Sequence, residues 1–232
     1  MLSLRKANER GLTEIDWLKS YHTFSFGNYY DLQHMGCGSL RVINEDRVQP
    51  GKGFEAHQHN DMEIISYVIE GALEHKDSMG TGSIIRPGEI QRMTAGTGVK
   101  HSEFNASKSE QVHFLQIWII PNKKSLKPSY EQKAIPQSIK NELILIASPN
   151  GGDNAVLIHQ EVDLYAAYLN KNQSISHSFK TSQLGWLQLI KGQLKINEQL
   201  LNAGDGAQLN NPGTYEITSI GDAEFLLFDL KK

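Results

Sequence analysis

Cysteine is almost absent from this chain: Cys37 stands alone among 232 residues. No internal disulfide can form, which agrees with a reducing compartment, and Cys37 is expected as a small core residue. Long apolar runs are missing too. The longest, such as Ile117 to Ile120, are far too short to cross a bilayer, and the start, Met1 to Arg10, is charged and lacks the apolar centre of a signal peptide. The expectation is a soluble, cytoplasmic protein with no membrane role. Charge of one sign is lacking as well. Lys and Arg number 23 against 26 Asp and Glu, giving a net charge of −3 and no basic run. That leaves no electrostatic footprint for direct nucleic-acid binding.

Helical periodicity is nearly absent. Residues 12–21 carry Leu12, Ile15, Trp17, Leu18 and Tyr21 at mixed spacing, with Thr13 as a candidate N-cap, and a short helix or turn is expected there. From Gly38 onward, short strands separated by turn residues follow one another: Ser39 to Asn44, Glu63 to Glu70, Ala72 to His75, Ser83 to Ile85, Gln91 to Thr94 and His113 to Ile120. This pattern predicts an all-β chain of antiparallel sandwich or barrel type. Between Pro121 and Pro136 the composition shifts to Lys, Ser, Pro and Gln, and prolines 121, 128 and 136 remove ladder donors. The expected division is therefore an N-terminal barrel over 1–120, a linker over 121–140 and a C-terminal barrel over 141–232.

Chemistry concentrates in His57-Gln58-His59-Asn60-Asp61-Met62-Glu63 and in His101-Ser102-Glu103. Side chains alternate faces along a strand, so His57 and His59 share a face, as do His101 and Glu103 on their own strand. Two such pairs can converge on one ion. Imidazoles with a carboxylate suit a divalent transition metal and not calcium, which prefers all-oxygen sites. Each pair alone reads equally well as surface histidines that happen to alternate. Both Glu63 and Glu103 have the right parity to serve as the carboxylate, and parity does not choose between them.

The order Gly51-x5-His57-x-His59-x3-Glu63, then Pro87-Gly88, then His101-x3-Asn105, resembles the paired motifs of the cupin superfamily. The blocks His22-Thr23-Phe24-Ser25-Phe26, Met93-Thr94-Ala95-Gly96-Thr97-Gly98 and His101-Ser102-Glu103 resemble the pirin family, in particular its bacterial quercetin dioxygenase-like members. The resemblance implies a bicupin, two antiparallel β-barrels of jelly-roll (double-stranded β-helix) type. It implies one divalent transition metal held by His57, His59, His101 and Glu103, with Fe(II) first and Zn, Cu, Ni or Mn as alternatives. Glu63 then becomes a supporting carboxylate that orients a ligand imidazole or binds a turn.

The second half repeats the strand rhythm, with Leu187 to Gly192 matching Tyr67 to Gly71. On that register His177-Ser178-Phe179 falls where His57-Gln58-His59 falls, and no histidine follows it. A second cupin barrel without a metal is expected, since one His against a Phe leaves too few ligands. His177, His159, His75 and His34 are read as structural or surface residues, and His113 as a core residue. The aromatics from Tyr21 to Tyr30 are read first as core packing and second as a pocket wall.

Two functions from different classes follow. The resemblance implies an enzyme that uses the metal and O2 to open a flavonol such as quercetin with release of CO, Glu103 serving as both ligand and base. The alternative it implies is a metal-binding regulator that binds partner proteins without turnover. A structural zinc site is a third reading, weakened by the carboxylate, since structural zinc is usually enclosed by Cys and His.

Overall fold

A computed structural model describes residues 2–231, and its regular structure is almost entirely strand, with one 3-10 turn at Ala7–Glu9. None of its helices is long and apolar enough to cross a membrane. The chain divides into two compact units: Gly11–Ile135 with Val156–Gln160, and Met1–Arg10 with Pro136–Ala155 and Glu161–Lys232.

The first unit is built from two antiparallel sheets. The larger has the order Ser129–Ala134, Glu89–Thr94, Glu63–Glu70, Val112–Ile119, Leu40–Val48, Leu18–His22, Gly11–Ile15, and the smaller Gly53–His59, Val99–Asn105, Leu73–Asp77, Gly82–Ile85. Two separate clusters stand out among its buried apolar residues. Leu18, Val48, Val68, Leu73, Val112 and Phe114 belong to one, and Ile64, Met93, Ala95 and Val99 to the other, with Trp118 packed against it.

Alternation explains what lies between them. Along Glu63–Glu70 one face presents Ile64, Ser66 and Val68, and along Val112–Ile119 it presents Phe114, Gln116 and Trp118. Each strand thus carries a buried polar residue between two apolar ones, and Ser66 and Gln116 are directly paired. The smaller sheet supplies Val99, His101 and Glu103 from one strand and Leu73, His75 and Asp77 from its neighbour. The interior is a polar layer held between two apolar ones.

Two segments differ from the sequence expectation. Residues 11–22 form a hairpin, Gly11–Ile15 paired with Leu18–His22, so that of the expected helix or turn only a turn, at Asp16 and Trp17, is present. Leu18, Ser20 and His22 alternate into the interior, whereas Leu12 and Ile15 are exposed and never formed a helical stripe. Within 121–140, read as a linker, Ser129–Ala134 pairs with Glu89–Thr94 at the edge of the larger sheet. The three prolines lie outside this strand, so no ladder donor is lost. The boundary between the two units falls at residue 135, and 156–160 return to the first unit while 2–10 belong to the second.

In the second unit Leu2–Arg5 pairs with Gly206–Leu209, a contact fixed nearby by Asp205, which accepts from the Ala7 amide at 2.7 Å and from Lys6 Nζ at 3.0 Å. The order continues through Gln183–Lys191, Ala223–Lys231, Val162–Leu169 and Leu143–Ser148, facing a four-stranded sheet of Ser174–Phe179, Gly213–Ser219, Gln193–Ile196 and Gln199–Asn202. Here the interior is one continuous apolar cluster that includes Phe179, Leu187, Leu189, Leu194, Ile217 and Phe225. His177 bonds Asp229 at 3.0 Å, and Phe179 fills the space beside it.

The loop that delivers the strand of His101 depends on Gly96, whose φ is +47°. A Cβ at this position would stand 1.9 Å from the backbone oxygen of Leu126. The carbonyl of Gly96 also accepts from the Asp61 amide at 2.9 Å, tying this loop to the one after His59. Replacing Gly96 by Ala combines a left-handed backbone with a clash against main chain and is expected to destabilise the protein by roughly 2 kcal/mol or more. Thermal unfolding checks this, and an unchanged melting temperature would contradict it.

Candidate metal centre

Three of the four proposed ligands meet. Ligand atoms of His57, His59 and His101 lie within 4.8 Å of one another. His57 and His101 are directly paired across the two strands, and His59 follows on the same inner face. The pairing is irregular on its far side. His101 opposes His57 but Glu103 opposes Phe54, so one additional residue is accommodated on the strand of His57. This bulge reverses the parity before His57, and Phe54 therefore faces the same cavity as His57 and His59.

The bulge also sets a proton. His57 Nδ1 donates to the backbone oxygen of Glu55 at 2.7 Å, which leaves its Nε2 lone pair bare. That nitrogen stands 3.1 Å from Nε2 of His101. Two imidazole nitrogens bound to one ion at about 2.1 Å and subtending about 95° would be this far apart, so the pair fits a shared divalent cation. Burial, followed by repulsion from the neighbouring imidazoles, lowers the His101 pKa to about 3 and that of His59 to about 4. Both rings are neutral at physiological pH and have a lone pair to offer.

Glu103 is placed differently. It shares the inner face with His101, but its carboxylate groups with His101 and His75 and not with the whole triad. It reaches across the interior to the larger sheet, where Oε1 accepts from Ser66 Oγ at 3.0 Å and Oε2 from Gln116 Nε2 at 2.5 Å. The residue is 3% exposed, so both donors compensate a desolvated charge.

Glu63 sits on the opposite face of its strand. Its Oε2 accepts from Thr94 Oγ1 at 3.1 Å and from the His159 amide at 3.2 Å, and it belongs to neither grouping of ligand atoms. It fastens the returning segment 156–160 and orients none of the three imidazoles. His159 is correspondingly structural. His113 also points away from the site, bonding Glu45 at 2.9 Å. Cys37 is buried, and desolvation raises its thiol pKa to about 12.

A cavity of about 260 Å³ opens onto His57, His59 and Glu103. Phe26, Phe54 and Trp118 form its apolar wall, and the Trp118 ring meets both Phe26 and His59 edge-on. Of the aromatics between Tyr21 and Tyr30, Phe26 is thus a wall of the cavity, while Tyr30 is exposed. The other wall is polar: His22 bonds Thr13 and Asn44, each at 2.8 Å, and Asp46 lies beyond. Burial raises the Asp46 carboxyl pKa to about 7, with Ser20 pulling it down and Glu103 and Glu45 pushing it up.

Sequence reasoning missed Ser66, Gln116, His75 and Asp77. Their signal was present as single polar residues in phase with apolar ones on a strand, and as His-x-Asp on the strand beside His101.

Both halves of the chain match known proteins. Residues 4–119 match the model of the pirin family, and residues 145–230 match that of the quercetinase C-terminal cupin domain. The chain is 44% identical over 99% of both chains to a quercetin 2,3-dioxygenase of Escherichia coli K12. It is likewise 44% identical, over 99% of this chain and 100% of the other, to a putative quercetin 2,3-dioxygenase of Pasteurella multocida. The crystal structure of the bacterial pirin YhhW from Escherichia coli in complex with nickel(II) superimposes with a TM-score of 0.95 at 42% identity, covering 100% of this chain and 99% of that one. A quercetin 2,3-dioxygenase from Acinetobacter baumannii, at 19% identity and a TM-score of 0.81 over 99% of this chain and 85% of that one, shares the fold.

Replacing His57, His59 or His101 singly by Ala is expected to lower bound divalent metal sharply while leaving the β-rich fold, because the apolar clusters lie on either side of the site. His177→Ala, in the other unit, is expected to leave metal content unchanged. Metal analysis after purification without chelator checks both, and one full equivalent retained in His101→Ala would contradict the assignment.

Proposed function

The chain belongs to the pirin family of cupin proteins, and from that premise we propose that it is a metal-dependent dioxygenase that cleaves a flavonol such as quercetin with O2 and releases CO. The observation that carries this reading is the clustering of three imidazoles, with the Glu103 carboxylate beside His101, at an aromatic-walled cavity lined by His57, His59 and Glu103. His57, His59 and His101 hold the ion, proposed to be Fe(II) in the cell, and Glu103 completes its ligands. The ion, when bound, supplies Lewis-acid and redox chemistry, lowering the pKa of a substrate hydroxyl and offering O2 an open position.

The remaining work falls to the protein's own side chains. Phe26, Phe54 and Trp118 bind a planar aromatic substrate by apolar contact and exclude water from the reacting carbon atoms. Glu103 takes the proton of the flavonol 3-hydroxyl at a carboxylate oxygen. Ser66 and Gln116 keep it oriented from the opposite sheet, and each occupies only one lone-pair direction of its oxygen. The carboxylate can thus accept a proton without first breaking free.

Oxygen consumption and CO release measured against a flavonol panel test the reading. Metal-loaded protein that consumes no O2 and releases no CO would contradict it and favour the regulator. Glu103→Gln separates the two roles of that residue, because the amide oxygen still coordinates weakly but is far less basic. The variant is expected to keep part of its metal and to bind flavonol, with turnover reduced by a factor on the order of 10² or more. Near-normal turnover per bound metal would rule out Glu103 as the base.

A further inference from the structure

Behind His101 a second histidine is buried completely. His75 is 0% exposed, and its Nδ1 lies 3.5 Å from Nδ1 of His101. Its other ring nitrogen, Nε2, lies 3.0 Å from Oδ2 of Asp77, whose side chain is also wholly buried. The remaining Asp77 oxygen, Oδ1, accepts from the amides of Met79 at 2.9 Å and Thr81 at 3.1 Å. The His75 ring is packed against Tyr130 at 5.0 Å, and the Tyr130 hydroxyl is bonded by Ser83.

These contacts constrain where the protons sit. A carboxylate only accepts, so His75 must donate from Nε2 to Asp77. A neutral His75 then has a bare Nδ1, which can only accept, and its 3.5 Å contact with His101 is a hydrogen bond only when His101 donates from Nδ1. That leaves the Nε2 lone pair of His101 facing His57, where the cation fits. We propose that Asp77 and His75 are positioning residues that hold His101 in its metal-ligating tautomer through a three-member carboxylate–imidazole–imidazole relay. The inference rests on the metal-site part of the proposed function and requires nothing of the substrate.

The relay contains its own test. In Asp77→Asn the amides of Met79 and Thr81 require an acceptor where Oδ1 stands, so the carbonyl oxygen remains there and the NH2 group faces His75. His75 Nε2 must then accept, its proton moves to Nδ1, and His101 is driven to the Nε2–H tautomer that cannot ligate. The turn that Oδ1 caps is preserved.

Chelator competition with Ni(II) or Zn(II), in the absence of any flavonol, is expected to show affinity falling by a factor on the order of 10 to 10² in Asp77→Asn, the usual effect of losing such a partner. His75→Leu should lose affinity similarly. His75→Gln, which can present a carbonyl acceptor to His101, should recover part of it. Because a buried variant can fail to fold, the decisive readout is on the unaltered protein. Histidine ¹⁵N NMR of the metal-free and zinc-loaded forms should show His75 as Nε2–H and, before metal is added, His101 as Nδ1–H. Unchanged affinity in Asp77→Asn, a bare Nε2 on His75, or a second metal equivalent lost with His75→Leu would overturn the relay. Loss of flavonol turnover with normal metal affinity and these tautomers would count against the proposed reaction and leave the relay standing.

Discussion

The structure of the site depends on one cross-strand pair, His57 opposite His101. Because their strands belong to the same antiparallel sheet, backbone hydrogen bonds fix the separation of the two imidazoles before any ion is present. His59 is then carried to the site by strand alternation alone. The bulge beside the pair has two effects: it brings Phe54 round to the cavity, and it places the Glu55 carbonyl where His57 Nδ1 can donate to it. A metal centre assembled on one sheet in this way needs no loop to order around it.

The carboxylate obeys a different constraint. A buried Glu103 is tolerable only because donors from the opposite sheet satisfy both oxygens, and those donors interrupt the apolar faces of two central strands. The first unit therefore gives up a continuous core for a polar layer. The second unit, built from the same kinds of strands, has Phe179 in the place of a ligand and fills its interior with apolar side chains. Function and packing compete for the same inward positions, and each unit resolves the competition in one direction.

The all-β architecture was legible because strand alternation and Gly-rich turns are strong local signals, and Glu63–Glu70 was located to the residue. The hairpin at 11–22 was not, since its outward Leu12 and Ile15 blurred the alternation. Neither was the edge strand Ser129–Ala134, whose half-buried polar residues resemble a loop until a partner strand is supplied. At the site, the convergence of the three histidines could be argued from parity, whereas the bulge could not. His75 looked like a spare surface histidine because only pairing shows that it stands diagonal to His101, and Glu63 looked like a partner of the ligands because sequence spacing does not reveal which face it occupies.

The central claim is that one divalent ion is held by Nε2 of His57, Nε2 of His101 and a ring nitrogen of His59, with Glu103 as its carboxylate neighbour. Anomalous X-ray scattering from crystals of the metal-loaded protein measures this directly. The account predicts a single strong peak in each chain, within about 2.0 to 2.2 Å of all three nitrogens. A peak placed instead between Nδ1 of His75 and Nδ1 of His101, or one that leaves out any of the three histidines, would contradict it.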